Sequence, residues 1–293
     1  MTTRDLDTLT TKSTPEFISQ ATAVEQARAV AEVQAAVVVA QNVPRNMDRA
    51  LADMRDTTGR LALAEQAFYK VPDRGTGPTV HLMRELARIW GNMTYGVREL
   101  HRDDEAGMSE ILAYAVDLQT NTRSERSFLV PHARMKKINN QQTRQKLVDL
   151  GDIYLNNQNI GARAVRECIS TVLPTWFRNE AENRCRETLR NGEDGGDPLP
   201  KRIDGMVQAF AQIGVTIGRL EDRLGRKRGT WDGSHVAEMI VVYQSIQRGE
   251  TTIDDEFGRR VTADEITGKA TTEPPTAEPW PEAVKPGQGK PKS

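Results

Sequence analysis

The chain has 293 residues, enough for one large folded unit or a medium one with a small companion, and its formal net charge is only −1. No apolar run approaches the roughly 18 to 20 residues that span a bilayer, and the polar, threonine-rich start lacks the zones of a secretory signal; the reading is of a soluble, cytoplasmic protein with no membrane partner. Cys168 and Cys185 stand outside any CxxC or Cys/His metal spacing and read as free, mostly buried thiols.

Residues 1–14 read as disordered. A helix follows, capped near Thr14 with Pro15 in its first turn and ended by Pro44. Its apolar positions, among them Phe17, Ala21, Val24, Ala31 and Val38, are alanine-rich and suit packing against another helix or another copy of the chain. A short helix over Met47–Met54 comes next, then a strand in which Ala67, Tyr69 and Val71 alternate with Phe68 and Lys70, then a turn at DRGTGP. Val80, Met83, Leu86, Ala87 and Trp90 mark an amphipathic helix that stops at Gly91-Asn92. MTYGVREL, SEILAYAVDL and RSERSFLVP read as strands, the last two joined as a hairpin by QTNT.

The rest is helical. DIYLNNQNIGARAVRECISTVLP shows an apolar stripe of Leu155, Ala162, Val165, Ile169 and Val172, with Asn159, Arg163 and Arg166 together on another face. Pro174 breaks it and TWFRNEAENRCRETLRNG restarts it. NGEDGGDP reads as a linker, and three short helices about Met206/Phe210, Leu220/Leu224 and Ile240/Tyr243 share a small core. The predicted class is α+β, a small antiparallel sheet with a β-hairpin packed against helices, plus a small C-terminal helical module. Its division is 1–14 disordered, 15–192 core, 193–200 linker, 201–257 module, and 258–293 a disordered acidic, proline-rich tail.

The near-neutral total hides segregation. Between Arg123 and Lys146 lie seven bases (Arg123, Arg126, Arg134, Lys136, Lys137, Arg144, Lys146) against the single acid Glu125, whereas Glu250–Glu282 holds nine acids and three bases. Such asymmetry points to a polyanion-binding region, although solvated loops also carry charge runs. The hairpin bearing Arg123 and Arg126, running into HARMKK, is expected to project a basic edge, to which Arg163 and Arg166 add if their helix crosses the same sheet. Tyr69, Tyr95, Tyr114 and Phe128 are the aromatics near enough to stack on bases, though alternation assigns most of them to the core.

Catalytic signals are weak. DRGTGPT lacks the lysine of a phosphate loop, His81, His101, His132 and His235 are scattered without a metal-binding pair, and Asp103, Asp104 and Glu105 read as an acidic loop. No bond-breaking chemistry and no cofactor are expected, with any magnesium effect left open.

The order LAEQAFYKVP, GPTVHLMRELARIWGNMTYGVREL, AYAVDLQTNTRSERSFLVPHARM, DIYLNNQNIGARAVRECISTVLP resembles phage and prophage proteins related to the RecT and Redβ single-strand annealing recombinases, over about residues 15 to 190. The resemblance rests on a GP[ST] helix start, a WGN turn, a DLxTN hairpin and a late DIY helix. It implies a bacterial-host cytoplasmic protein that binds single-stranded DNA and anneals complementary strands in phage recombination. The activity it implies is independent of sequence and of ATP and is carried out as a ring or helical filament. It also implies annealed duplex as product, a phage exonuclease or host single-strand binding protein as partner, and a partner-contacting C-terminal module. DNA contacts are expected from Arg123, Arg126, Arg134, Lys136, Lys137, Arg144, Lys146, Arg163 and Arg166. The alternative is a non-catalytic phage structural or adaptor protein.

Overall fold

Every second residue of β4 (Met108–Asp117) is buried, from Ser109 through Ile111, Ala113 and Ala115 to Asp117, so the most regular alternation in the sequence becomes the centre of a sheet. The computed structural model describes residues 20–71, 75–138 and 141–258, apart from the side chains of 20–22, 26 and 136–142. The expected disordered start, the Thr14 cap with Pro15 and Phe17, and the acidic tail beyond Gly258 lie outside the described residues. β3 (Met93–Asp103) and β5 (Thr122–Pro131) flank β4 in the antiparallel order β3-β4-β5, with a bulge between Glu99 and His101.

The 23-residue helix α5 (Leu150–Val172) lies across the buried face of this sheet. Small residues let it come close. At Gly161 a Cβ would stand 2.8 Å from Val97 Cγ1, inside van der Waals contact. Alanine there gains about 1 kcal/mol of helix propensity but overpacks the interface, at about 1 to 3 kcal/mol. We therefore expect Gly161→Ala to destabilise the protein by about 1 kcal/mol, and the same substitution in a Val97→Ala background to stabilise it; urea denaturation of the four variants reads both signs.

On α5 the buried line is Ile153, Asn157, Gly161, Val165, Cys168, Ile169 and Val172. The expected stripe holds at Val165, Ile169 and Val172, but Leu155 is exposed, because the line that meets the sheet starts from Ile153. Behind α5 stand α2 (Met47–Thr58), α4 (Val80–Trp90) and α6 (Thr175–Asn191), and Met54, Leu82, Met83, Leu86, Trp90 and Phe177 complete the core with β1 (Phe68–Val71). Cys168 and Cys185 are buried free thiols; burial pushes Cys185 up to about 12 and raises Cys168, which keeps both as unreactive thiols.

Three of the sequence motifs turn out to hold this architecture together. In GPT, Gly77 lies under the Tyr69 ring, and Thr79 caps α4 while its hydroxyl donates to Gln66 O at 2.6 Å. In WGN, Gly91 takes φ +71°, a conformation glycine adopts without strain, and Asn92 Nδ2 donates to Val43 O at 3.1 Å. In DLQTN, Asp117 accepts from the backbone of Gln119 and Thr120 and, through its other oxygen, from Arg45 and the Trp90 indole.

Two pairings were not expected. β2 (Gly75–Pro78) pairs with β1, although its glycines and proline read as a turn. β6 (Ala133–Ile138) and β7 (Gln141–Lys146) form a separate two-stranded ribbon, so HARMKK does not continue β5. The sequence QQTRQK hides β7 because a ribbon with solvent on both faces needs no apolar alternation.

The C-terminal helices α7 (Leu199–Gln212), α8 (Ile217–Leu224), α9 (Gly233–Gln247) and α10 (Ile253–Phe257) have their own apolar cluster around Met206, Phe210, Leu220, Trp231 and Met239. That cluster is fastened to the rest. Val241 belongs to the main core, Ser245 Oγ accepts from Lys70 N at 2.9 Å, and Arg248 donates to Phe68 O at 2.7 Å. The expected linker is tied down as well, since Glu193 accepts from the backbone of Leu61, the first residue of α3 (Leu61–Ala64), at 2.9 Å. The described residues through Phe257 form one compact unit. The first helix, α1 (Gln20–Asn42), differs in kind: of its described side chains only Ala40 is buried, and Val24, Val30, Val33, Val38 and Val39 are each more than half exposed. No described helix is long and apolar enough to cross a membrane.

Candidate nucleic-acid interface

The register of β4 and β5 decides where the first basic residues go. Arg126 stands opposite Ala113, on the face that α5 covers, and its charge reaches the buried Cys168 thiol. Arg123 stands opposite Val116 and so projects from the other, open face, where its Nε donates to Glu125 at 2.9 Å. The two arginines therefore do not share the single basic edge expected of them, and Arg123 is neutralised by its neighbour.

The ribbon carries a different balance. Arg134, Arg144 and Lys146 are exposed, and among the described residues none has a carboxylate at ion-pair distance. Register pairs Arg134 with Gln145, Met135 with Arg144 and Ala133 with Lys146, so cations project from both faces. Lys136 and Lys137 lie opposite Thr143 and Gln142 by backbone register, and their side chains are outside the described residues.

What holds the ribbon's root is a polar cluster in which Ser109 and His132 are buried. Ser109 Oγ donates to Glu99 at 2.9 Å and lies 2.9 Å from His132 Nε2, while Asp104 sits 3.8 Å from His132 Nδ1 and accepts from Arg102 at 2.8 Å. Backbone bonds from His132 N to Gly107 O and from Leu147 N to His132 O fix both ribbon strands to this point. Serine, histidine and aspartate stand in the order of a hydrolase triad, but Ser109 is fully buried and its proton is committed to Glu99, so the cluster is a clasp rather than a nucleophile.

From β7 the chain enters α5 through Asp149, whose carboxylate caps Gly151 and Asp152. Leu155, Asn159 and Arg163 then follow at four-residue steps on the exposed side of the helix. Arg163 has no carboxylate partner among the described residues, whereas Arg166 donates through Nε and Nη2 to Glu167 and lies 4.9 Å from the centroid of the Tyr69 ring. The exposed Tyr154, the last residue of the DIY motif, was not among the aromatics singled out from sequence.

Arg163 and Arg166 line a cleft of about 560 Å3 together with Asn159, Tyr69, His81 and Arg248. Arg248 binds Glu250 through Nε and Nη2, each at 3.2 Å. Burial, then the guanidiniums of Arg248 and Arg84, hold the His81 imidazole below its usual range, with Glu250 acting against them. Neither His81 nor Arg248 was singled out from sequence as a phosphate contact; one looked like the polar face of a helix, and the other lies 85 positions after Arg163. A second cavity, about 540 Å3 between α3, α7 and α9, is apolar around Met206, Phe210 and Met239. Its Arg202 is committed to the carbonyls of Leu189 and Arg190 at the end of α6, so it presents no free cation.

Of the expected aromatics, Tyr95 and Phe128 pack against the core, Tyr114 lies under Arg98 at 4.9 Å, and Tyr69 lies close to Gly77 with Arg166 4.9 Å from its ring centroid. Among the described residues no group of three His, Cys, Asp or Glu side chains is arranged to hold a metal ion. The basic residues thus sort into an unpaired ribbon, an exposed line along α5 and a cleft, with Arg123 apart from all three and Arg126 exposed on the edge strand β5 without a carboxylate partner among the described residues. No family model, no curated protein and no solved structure matches the chain.

Proposed function

We propose that the protein binds single-stranded DNA along the ribbon and the exposed line of α5, and anneals complementary strands without ATP, as a homo-oligomer in phage recombination. The observation that carries this reading is the set of unpaired cations Arg134, Arg144 and Lys146 on a two-stranded projection, in a molecule whose other arginines are mostly ion-paired. Carboxylate partners would cancel a field meant for phosphate, and cations left unpaired keep that field available to an external anion.

Annealing itself asks for no bond-breaking group. Two strands repel, a cationic surface lowers that repulsion, and base pairing supplies the free energy once one strand is held with its bases accessible. Along α5 the distance from Asp149 to Arg163 is about 21 Å at 1.5 Å per residue, enough for the ribbon and the cleft to engage different nucleotides of one strand. The exposed valines of α1 support assembly of several copies, because a 23-residue helix with five valines more than half exposed gains stability when another surface covers them. Copies in a row then make each further contact intramolecular.

The test is binding and pairing of labelled oligonucleotides as a function of salt. If three to five cations per subunit neutralise phosphates, log affinity for single strands falls against log salt with a slope of about −2 to −3.5 per subunit, and complementary strands pair faster with protein than without. Absence of binding and of acceleration at low salt rejects the reading. The adaptor reading draws on α1, whose exposed face suits a protein partner equally well; it requires that neutralising the ribbon leave function intact.

A further inference from the structure

Four elements line the cleft that holds Arg163. β1 brings Tyr69 and Val71, the first turn of α4 brings His81, α5 brings Arg163 and Arg166, and the turn after α9 brings Arg248 with Glu250. A strand backbone passing over a surface needs an entrance and an exit. Arginines that converge on one cleft from α5 and from the turn after α9 suit a compact anion with several free oxygens, such as the end of a chain.

We propose that this pocket takes a phosphomonoester, presented by the terminus of a nucleic-acid strand; the proposal rests on the strand-binding reading only for the source of that phosphate. Charge separates the monoester from the diester. A terminal phosphate carries about −1.5 to −2 at neutral pH and three free oxygens, against −1 and two free oxygens for each internal phosphate. The pocket offers donors on separate elements to match. Arg163 is without a carboxylate partner among the described residues, and Arg166 commits Nε and Nη2 to Glu167 and leaves Nη1 without one.

Arg248 shows where an oxyanion goes. Its Nε and Nη2 donate to the two carboxylate oxygens of Glu250, each at 3.2 Å, the two-pronged arrangement that a guanidinium makes with phosphate as readily as with carboxylate. Glu250 is thus an internal anion at the rim of the pocket, competing with any phosphate that enters. The Tyr69 ring packs close to Gly77 and has the Arg166 guanidinium 4.9 Å from its centroid, so a base would have to displace Arg166 to stack there. The pocket accordingly reads the phosphate and is indifferent to the terminal base.

The experiment uses the full chain and three short single strands of one sequence, ending in 5′-phosphate, in 3′-phosphate, or in hydroxyls at both ends, with a nucleoside monophosphate as a separate ligand, all at low salt. One phosphorylated strand is expected to bind 5- to 10-fold more tightly than the hydroxyl-ended strand, whichever base it ends in. The gap closes in Arg163→Ala, which alters an exposed side chain, and widens in Glu250→Gln, which removes the competing charge; thermal melts of both variants check the fold. Equal binding of all three strands overturns the proposal and leaves strand binding standing. If no strand binds while the nucleoside monophosphate does so in an Arg163-dependent way, the strand-binding reading is overturned and the phosphomonoester comes from free nucleotides.

Discussion

Replacing Arg134, Arg144 and Lys146 together by alanine is expected to weaken single-strand binding at low salt by roughly three orders of magnitude and to flatten the salt slope by about 2. The size follows from counterion release. Each cation that neutralises a single-strand phosphate contributes about 0.7 to the slope, and at tens of millimolar salt each such contact is worth close to a factor of ten. The fold should tolerate the change. All three side chains are exposed and make no ion pair among the described residues, so each substitution falls within about 0.5 kcal/mol in stability, and the anchors of the ribbon, His132 and Leu147, are untouched. A control variant, Arg123→Ala, should change affinity little, because Arg123 projects from the opposite side of β5 into an ion pair with Glu125. If the triple variant binds as the wild type does while Arg123→Ala does not, the interface lies on the open face of the sheet and not along the ribbon and α5.

That contrast between Arg123 and Arg126 was legible in the sequence. They are three positions apart on one strand, an odd spacing, and successive strand residues point to opposite faces. The same spacing on a helix puts Arg163 and Arg166 on neighbouring turns of one side, which the structure shows at the cleft. β4 was legible because one of its faces is dry and the other wet, so burial wrote itself into alternation. β7 was not, because water on both sides erases that signal. The cleft was only half legible: α5 announces its basic face, but Arg248 meets Phe68 across 180 positions of chain, and no local pattern encodes a contact made by the return of α9 onto β1. The GPT, WGN and DLQTN motifs were visible and their work was not. They make the contacts that hold α4, the sheet and the end of α1 together, and the candidate DNA contacts lie elsewhere.

The largest effect on stability is expected at Asp117. Its carboxylate and the Arg45 guanidinium are both almost fully buried and meet at 2.8 Å, while Arg45 also donates to Trp90 O and Gly91 O and stacks 4.2 Å over the Trp90 ring. The second carboxylate oxygen holds the turn between β4 and β5 through the N–H groups of Gln119 and Thr120. Asp117→Ala removes the ion pair and both turn bonds at once; the buried guanidinium keeps the carbonyls of Trp90 and Gly91 but loses its counter-charge, and the Trp90 indole N–H loses its acceptor. Losing one partner of a buried pair costs about 3 to 5 kcal/mol, which is a large part of the 5 to 15 kcal/mol typical of a whole domain. The variant should therefore shift its urea midpoint strongly, or fail to fold at growth temperature. Arg45→Met in the Asp117→Asn background tells apart the loss of the charge pair from the loss of the turn. With the guanidinium gone no buried charge is stranded, and the asparagine oxygen still serves the turn, so the double variant should be more stable than Asp117→Asn alone. If instead the two losses simply add, the ion pair is incidental and the turn bonds carry the stabilisation.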